Sequence, residues 1–134
     1  LRAGLPFLEG LMKIFPAAEI GFLAMARDET TLQATTFYTA LPDLTDKTVI
    51  LADTMIATAG TTLKALETLK KKHPKKIIIT GVMFTQYAFD KLQETNPAID
   101  LYPAVIDPIL NEKGYIVPGL GDAGDRAYGY KTSN

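Results

Sequence analysis

The sequence has 134 residues, of which 47% are apolar and 22% are charged, and its formal net charge is −1. This composition excludes a disordered chain, and a charge near zero gives no general attraction to nucleic acid or to anionic membranes. The absence of cysteine and the single histidine exclude a disulfide scaffold, cysteine-ligated metal sites and multi-histidine metal centres. The longest apolar stretch, residues 5–15, is too short to span a bilayer and does not resemble a signal peptide. We therefore expect one soluble, cytoplasmic domain over residues 1–134, with neither nucleic acid nor a membrane as a partner.

The first part of the chain predicts a helix, a buried strand and a β-arm. Pro6 is typical of the first turn of a helix, and apolar residues at helical spacing continue to Phe15. Residues 20–25 form a short apolar run, which predicts a buried strand leading into a polar loop. Residues 35–41 are rich in β-branched and aromatic side chains, which favours a β-ribbon or arm. Residues 48–52 are compatible with a buried parallel strand.

The rest of the chain alternates helices with strands. Apolar patterning predicts helices over residues 61–72 and 87–93 and strands over residues 77–84 and 99–106. Pro103 weakens the last strand, which we therefore place near an edge or a bulge. Alternation of this kind predicts βαβ units, in which these two strands and the one at residues 48–53 are mutually parallel. The expected fold class is α/β, a parallel sheet flanked by helices and carrying a β-arm.

The strongest local signal follows the strand at residues 48–52. Asp53 ends that strand, and a loop of small and hydroxyl-bearing residues then leads into a helix. Ligands of open α/β sheets bind outside the carboxyl ends of the strands, and the helix start with the hydroxyls of Thr58, Thr61 and Thr62 could hold a phosphate. The loop is neither a Walker loop nor a dinucleotide-binding GxGxxG motif. Ordinary helix capping by Thr61 or Thr62 explains the same residues equally well.

The arginines are few, and two of them follow predicted strands. The chain has three arginines among 14 basic residues, and Arg2 and Arg27 fall where carboxyl ends of strands are expected. Arginine is suited to bidentate contacts with phosphate, so this placement favours a phosphate-binding role over an ordinary surface role. The lysines of residues 70–76 predict a solvated surface, and the only histidine, His73, lies among them, which excludes a Ser-His-Asp triad.

The end of the chain is rich in glycine. Five of the ten glycines lie within residues 114–129, where they alternate with apolar side chains. A mobile tail seldom has this pattern, so we expect an ordered loop whose backbone approaches another group closely.

Three segments together resemble the uracil phosphoribosyltransferase family, over essentially the whole chain. Residues 1–5 (LRAGL) resemble the pyrophosphate-side loop of the family, and residues 53–61 resemble its 5-phosphoribosyl 1-diphosphate (PRPP) loop. Residues 111–126 (NEKGYIVPGLGDAGDR) resemble its uracil loop, and this segment is the most specific of the three. The resemblance implies a type I phosphoribosyltransferase-like fold. The family has a further segment before the position of Leu1, so we expect a chain truncated at its N-terminus.

The resemblance also implies roles for individual residues. Arg2 and Arg27 would contact the diphosphate of PRPP, and Asp53 would hold the ribose hydroxyls. Asp122 would lie between the base and PRPP, and Asp122 and Arg27 are the expected catalytic residues. The remaining PRPP-binding residues would be Thr54, Met55, Ile56, Ala57, Thr58, Ala59, Gly60 and Thr61, and the uracil-binding residues Tyr115, Ile116, Gly121, Asp122 and Ala123.

The implied reaction is transfer of phosphoribosyl from PRPP to uracil, giving UMP and diphosphate in pyrimidine salvage. Mg²⁺ would be bound through PRPP, with no metal ligand assigned directly to the protein, and the resemblance further implies a homo-oligomer and GTP as an effector. Thr54 and Ala59 stand where the family usually has proline and glycine. The alternatives are a phosphoribosyltransferase for another base and a regulatory or nucleotide-binding domain without turnover.

Overall fold

The computed structural model of the chain describes residues 2–27, 34–112 and 114–130. Within these ranges no helix is both long enough and apolar enough to cross a bilayer. The elements in chain order are α1 (Gly4–Ile14), β1 (Phe22–Arg27), β2 (Ala34–Ala40), β3 (Thr48–Ala52), β4 (Met55–Ile56), α2 (Gly60–Lys70), β5 (Lys76–Thr85), α3 (Gln86–Thr95), β6 (Asp100–Asp107), β7 (Ile109–Leu110), β8 (Ile116–Val117) and α4 (Ala123–Tyr128).

The long strand β5 is the centre of a parallel sheet. It pairs in parallel with β3 on one side and with β6 on the other, which confirms the three predicted parallel strands. Among the strands that the structure describes, β6 pairs only with β5, and Pro103 therefore lies on an edge strand as predicted. Helices α2 and α3 follow β4 and β5, so the connections are the crossovers that parallel strands require.

The strand β3 continues as β4 after a two-residue interruption at Asp53 and Thr54. Both strands pair with β5 in parallel, and the register offset is the same before and after the interruption. The N–H of Asp53 donates to the carbonyl of Thr80 (3.1 Å), and the carbonyl of Thr54 accepts the N–H groups of Val82 and Met83 (both 3.1 Å). The backbone on both sides of the interruption is therefore hydrogen-bonded to β5, which fixes the position of Asp53.

The hydrophobic core lies between the sheet and the helices α2 and α3. Along β5, the buried Ile77 and Ile79 alternate with partly exposed residues. The buried core residues are Leu44, Ile56, Ala59, Leu66, Leu69, Ile77, Ile79, Phe84, Ala88, Leu92 and Ile99. Because both helices and the strands β4 and β5 contribute to this one cluster, the loops between them start from fixed positions.

Strands β1 and β2 form a separate two-stranded antiparallel sheet, which is the predicted β-arm. The prediction of a buried strand over residues 20–25 was wrong in its bounds and in its burial. The strand is Phe22–Arg27, and Met25 is buried, whereas Ile20 and Phe22 are 45% and 42% exposed. The apolar run resembles a core strand, but an antiparallel ribbon covers only one of its two faces.

Two further segments agree with the sequence predictions. The lysines of residues 70–76 and His73 are exposed, in the connection from α2 to β5. The glycine-rich segment is ordered into β8 and α4, with Gly114, Ile116 and Gly124 buried. Both outcomes follow from local composition, because the lysines have no apolar face to bury and the glycines allow close backbone packing.

Candidate active site

A cleft of about 980 Å³ opens beyond the carboxyl ends of β3 and β4. It is formed by the turn before α1, the end of β1, the loop from β3 to α2, and the glycine-rich segment. The predicted site residues that line it are Arg2, Asp53, Thr54, Met55, Ile56, Ala57, Thr58, Ala59, Thr61, Tyr115, Ile116, Gly121, Asp122 and Ala123. The structure therefore brings together the three segments that are far apart in the sequence.

A few residues around this cleft differ from the prediction. Gly60 begins α2 beside the lining residues but is not one of them. Arg27 ends β1 directly after Ala26, which lines the cleft, and the Arg27 side chain lies outside the described part of the structure. Thr62, whose hydroxyl was predicted to help hold a phosphate, also lines the cleft. The lining residues that were not predicted are Ala3, Ala26, Glu112, Gly114 and Gly124.

The helix α2 begins without a side-chain cap. Its N-cap residue is Ala59, which has left-handed backbone angles (φ 61°, ψ 0°) and no side-chain acceptor. An L-residue in this conformation costs on the order of 1 kcal/mol. Thr61 and Thr62 lie within the helix, so the alternative that they cap it is wrong. The N–H of Gly60 makes only a long contact with Thr58 Oγ1 (3.5 Å). N–H groups at a helix start whose N-cap residue has no acceptor are suited to an anion, which favours the phosphate interpretation of this loop.

Asp53 lies partly buried where β3 is interrupted, and it lines the cleft. Burial raises the pKa of this carboxyl group above its usual value of 3.8, against the opposing effect of hydrogen bonds from the N–H groups of Thr54 and Met55. A buried carboxyl group gains stabilisation from hydroxyl donors or a cation that approach from the cleft. Ribose hydroxyls provide such donors.

The position of Asp53 depends on a glycine in the neighbouring strand. A Cβ atom on Gly81 would lie 2.6 Å from the Asp53 carbonyl oxygen and 2.7 Å from Cε1 of Phe84. Only glycine therefore allows β5 to approach the interruption this closely. Gly81 was not among the predicted site residues, although a glycine inside a strand pattern is a known sign of close backbone approach.

The loop from β3 to α2 is anchored by Thr85, a second residue that was not among the predicted site residues. This side chain is completely buried. Its hydroxyl donates to the carbonyl of Ala57 (2.6 Å) and accepts the N–H of Ala88 (2.9 Å), so it both anchors the loop and caps α3. A threonine directly before a predicted helix indicates a cap, but the contact with Ala57 has no local signal.

The glycine-rich segment has a closely determined backbone path. Strand β8 pairs with β7, and the N–H of Gly119 donates to Oδ2 of Asp107 at the end of β6 (2.9 Å). Gly119 has φ +54°, and a Cβ atom there would lie 2.0 Å from the carbonyl oxygen of Ile116, so another residue would be strained and would clash. The loop that carries Tyr115 and Gly121 into the cleft lining therefore starts from a fixed anchor.

Asp122 joins this loop to α4. Its carboxylate accepts the N–H of Asp125 (2.9 Å) as the N-cap of α4, and it also lines the cleft. Asp53 and Glu112 supply the other carboxyl groups of the lining. The described residues hold no cluster of three or more metal-ligating side chains. Separate carboxyl groups of this kind fit a Mg²⁺ ion whose ligands are mainly substrate oxygens and water.

The turn before α1 is tied to both other segments. The Thr54 hydroxyl donates to the carbonyl of Ala3 (2.7 Å), which links this turn to the PRPP-like loop. The Arg2 guanidinium donates to Asp125 (2.5 Å) and to the carbonyl of Gly129 (3.2 Å), which links the same turn to α4. Residues 2 and 3 therefore connect the two sides of the cleft.

Comparisons with known proteins agree with this geometry. The family model for uracil phosphoribosyltransferase matches residues 1–130. The uracil phosphoribosyltransferase of Clostridium botulinum (strain Eklund 17B / Type B) is 46% identical over 98% of this chain and 63% of its own length. The uracil phosphoribosyltransferase of Sulfurisphaera tokodaii is 44% identical over 96% of this chain and 64% of its own length. The chain thus spans less than two thirds of the length of these curated relatives.

Solved structures show the same fold. The AQ2163 protein from Aquifex aeolicus superposes with a TM-score of 0.94 at 39% identity, over 99% of this chain and 64% of that one. A purine phosphoribosyltransferase from Pyrococcus horikoshii has a TM-score of 0.59 at 18% identity, over 83% of this chain and 76% of that one, a likeness of fold alone. The predicted phosphoribosyltransferase-like α/β fold is confirmed. Since the family model covers nearly the whole chain, the chain belongs to the uracil phosphoribosyltransferase family.

Proposed function

We propose that this chain forms the active site of an enzyme that transfers phosphoribosyl from PRPP to N1 of uracil, giving UMP and diphosphate. The observation that carries the proposal is the single cleft lined by all three segments that resemble substrate loops of the family. Membership of the family and the names of its relatives support the choice of uracil as the acceptor.

The PRPP side of the proposal uses the loop from β3 to α2. The 5-phosphate binds at the backbone of residues 57–61, where α2 begins without a side-chain cap. Asp53 accepts hydrogen bonds from the ribose hydroxyls, and Arg2 and Arg27 contact the diphosphate. Arg2 lines the cleft, and its guanidinium group donates one hydrogen bond to Asp125 and one to the carbonyl of Gly129. A guanidinium group has five N–H donors, so others are available for the ligand.

The uracil side of the proposal uses main-chain groups of residues 115–123. Ile116, Gly121 and Ala123 present backbone donors and acceptors to the edge of the base, and Tyr115 and Met55 provide apolar walls. Cytosine has an amino donor and an N3 acceptor where uracil has a carbonyl acceptor and an N3–H donor. Each buried group left unpaired costs about 1–3 kcal/mol, so two mismatches give strong discrimination.

The reaction proposed for this site breaks the bond from ribose C1 to the diphosphate oxygen and forms a bond from C1 to uracil N1. The ribose then acquires oxocarbenium character, as in glycoside cleavage, and the N1 proton passes from the base to water. Asp122, between the base and the ribose, stabilises the developing positive charge, and the loops hold the two reactants in line. Mg²⁺ bound to PRPP would neutralise the charge of the departing diphosphate.

The direct test is an assay of UMP formation from PRPP, Mg²⁺ and uracil, with cytosine as the competing base. We expect UMP formation with uracil and at least about a thirty-fold lower kcat/KM with cytosine, the lower bound for two unpaired buried groups at about 1 kcal/mol each. Equal use of the two bases would contradict backbone recognition by residues 115–123. Binding of PRPP without product would instead favour the nucleotide-binding alternative. The predicted homo-oligomer and GTP effector remain to be tested in the same preparation.

A further inference from the structure

The helix α4 is short and has little buried surface. It contains six residues, and only Gly124 is buried. A helix of this length is not stable alone in water, because nucleation is costly and few hydrogen bonds repay it. Yet the residue that caps α4 is Asp122, the carboxylate that we place at the reacting centre. Contacts from outside the helix must therefore determine where Asp122 lies.

An ion pair joins α4 to the turn before α1, and we call it the Arg2–Asp125 clasp. Nη2 of Arg2 lies 2.5 Å from Oδ1 of Asp125, and Nη1 donates to the carbonyl of Gly129 just after the helix (3.2 Å). The two side chains are 35% and 23% exposed, so solvent screens the pair only in part. One guanidinium group thus contacts both the first turn and the end of α4.

The packing around the clasp leaves little room. A Cβ atom on Gly124 would lie 3.1 Å from Oδ1 of Asp122 and 3.3 Å from Nε of Arg2. The Arg2 side chain therefore lies directly against the backbone of α4, close to the capping carboxylate. At its other end, the turn that carries Arg2 is held by the Thr54 hydroxyl through Ala3.

We propose that Arg2 and Asp125 are positioning residues that fix α4, and through it Asp122 and the base-binding loop, against the PRPP-binding side of the cleft. The role in base binding rests on the function proposed above. Arg2 accordingly acts on the base side of the site as well as on the diphosphate. Asp125 has its effect through Arg2 and contacts no substrate.

The first test is hydrogen exchange on the free protein, which requires no substrate. The N–H groups of Arg126 and Gly129 donate to the carbonyls of Asp122 and Asp125, so they report on α4. We expect Asp125→Asn to accelerate their exchange about five-fold, the effect of losing a partly screened ion pair. The double variant Arg2→Ala/Asp125→Asn should exchange no faster than Arg2→Ala alone. Unchanged exchange in Asp125→Asn, or effects that multiply in the double variant, would overturn the clasp.

The matched control is Asp100→Asn. Asp100 pairs with Lys76 at 2.6 Å, at the ends of β5 and β6 where the strands begin, opposite the cleft. The substitution Asp100→Asn removes a negative charge from an ion pair, as Asp125→Asn does, but it makes no change in or near α4. Exchange at the N–H groups of Arg126 and Gly129 should therefore remain as in the wild type. Acceleration by the control would mean that net charge, not the clasp, governs the exchange.

The second test separates positioning of the base loop from other roles by steady-state kinetics. We expect Asp125→Asn to raise the KM for uracil about five-fold and the KM for PRPP by less, because Arg2 also contacts the diphosphate. Asp125→Glu, which keeps a carboxylate for Arg2, should restore most of the loss. A larger rise in the KM for PRPP than in the KM for uracil would overturn the assignment to the base side. A wild-type protein that forms no UMP would contradict the proposed function, while the exchange experiment would still decide whether the clasp holds α4.

Discussion

The substitution Gly81→Ala is expected to lower both stability and activity, because the added methyl group would overlap a core side chain and the backbone of Asp53. Its Cβ atom would lie 2.6 Å from the carbonyl oxygen of Asp53 and 2.7 Å from the ring of Phe84. Neither neighbour can move freely. Phe84 is completely buried, and the N–H of Asp53 is hydrogen-bonded to Thr80.

The size of these losses follows from the overlap between the added Cβ atom and its neighbours. Ordinary contacts of a carbon atom begin near 3.4 Å, so the β3–β4 interruption must move by roughly 0.8 Å relative to β5. Overpacking of this kind costs about 1–3 kcal/mol, which corresponds to a fall in Tm of roughly 5–10 °C for a domain of this size. A displacement approaching 1 Å at Asp53 would lower kcat/KM by up to about a hundred-fold.

Thermal unfolding and the UMP-forming assay test this expectation side by side. The matched control is Gly10→Ala in α1, because a Cβ atom there meets no heavy atom within 4 Å. This control should leave activity unchanged and raise the free energy of unfolding by about 0.5–1 kcal/mol, since alanine favours a helix. A Gly81→Ala protein with the Tm and kcat/KM of the wild type would refute the close approach as the determinant of the Asp53 position.

Three further predictions concern the loops of the cleft. Gly60→Val should abolish PRPP binding in a calorimetric titration, because Gly60 lies between the lining residues Ala59 and Thr61, where a β-branched side chain would crowd the bound phosphate. The protein should stay folded, since a Cβ atom there meets only Thr58 Oγ1 at 3.6 Å; retained affinity would contradict phosphate binding at this loop. Asp122→Asn should lower kcat at least ten-fold with a smaller change in the KM for uracil, since asparagine still caps α4 but carries no charge. Wild-type turnover would contradict the catalytic role of the Asp122 carboxylate. Burial raises the pKa of Asp53, so the folded protein binds the carboxyl proton of Asp53 more tightly than the unfolded chain does. Asp53 therefore stabilises the folded protein at low pH, and this contribution is lost as the pH rises through the raised pKa. Asp53→Asn should therefore increase the free energy of unfolding at pH 7 in urea titrations, with an advantage that fades as the pH falls toward the usual value of 3.8; an equal advantage at both pH values would refute the burial effect.

The sequence alone predicted those features that depend on neighbouring residues. The period of the apolar pattern distinguished strands from helices, and their alternation predicted the parallel pairing of β3, β5 and β6. The phosphate-type loop and the glycine-rich loop were also predicted from short motifs. Such signals are local because hydrogen bonds within a turn or helix join residues only a few positions apart.

Only the tertiary structure showed how the site is held together. Thr54 contacts Ala3, Thr85 contacts Ala57 and Arg2 contacts Asp125, and each pair joins residues more than 25 positions apart in the sequence. The burial of β1 was mispredicted for the same reason, since its apolar run is consistent with either a core strand or a ribbon until its pairing partner is known. A side chain's chemistry can be read from the sequence, whereas its partner depends on how the whole chain packs, and for this cleft the packing decides which carboxylates and arginines face each other.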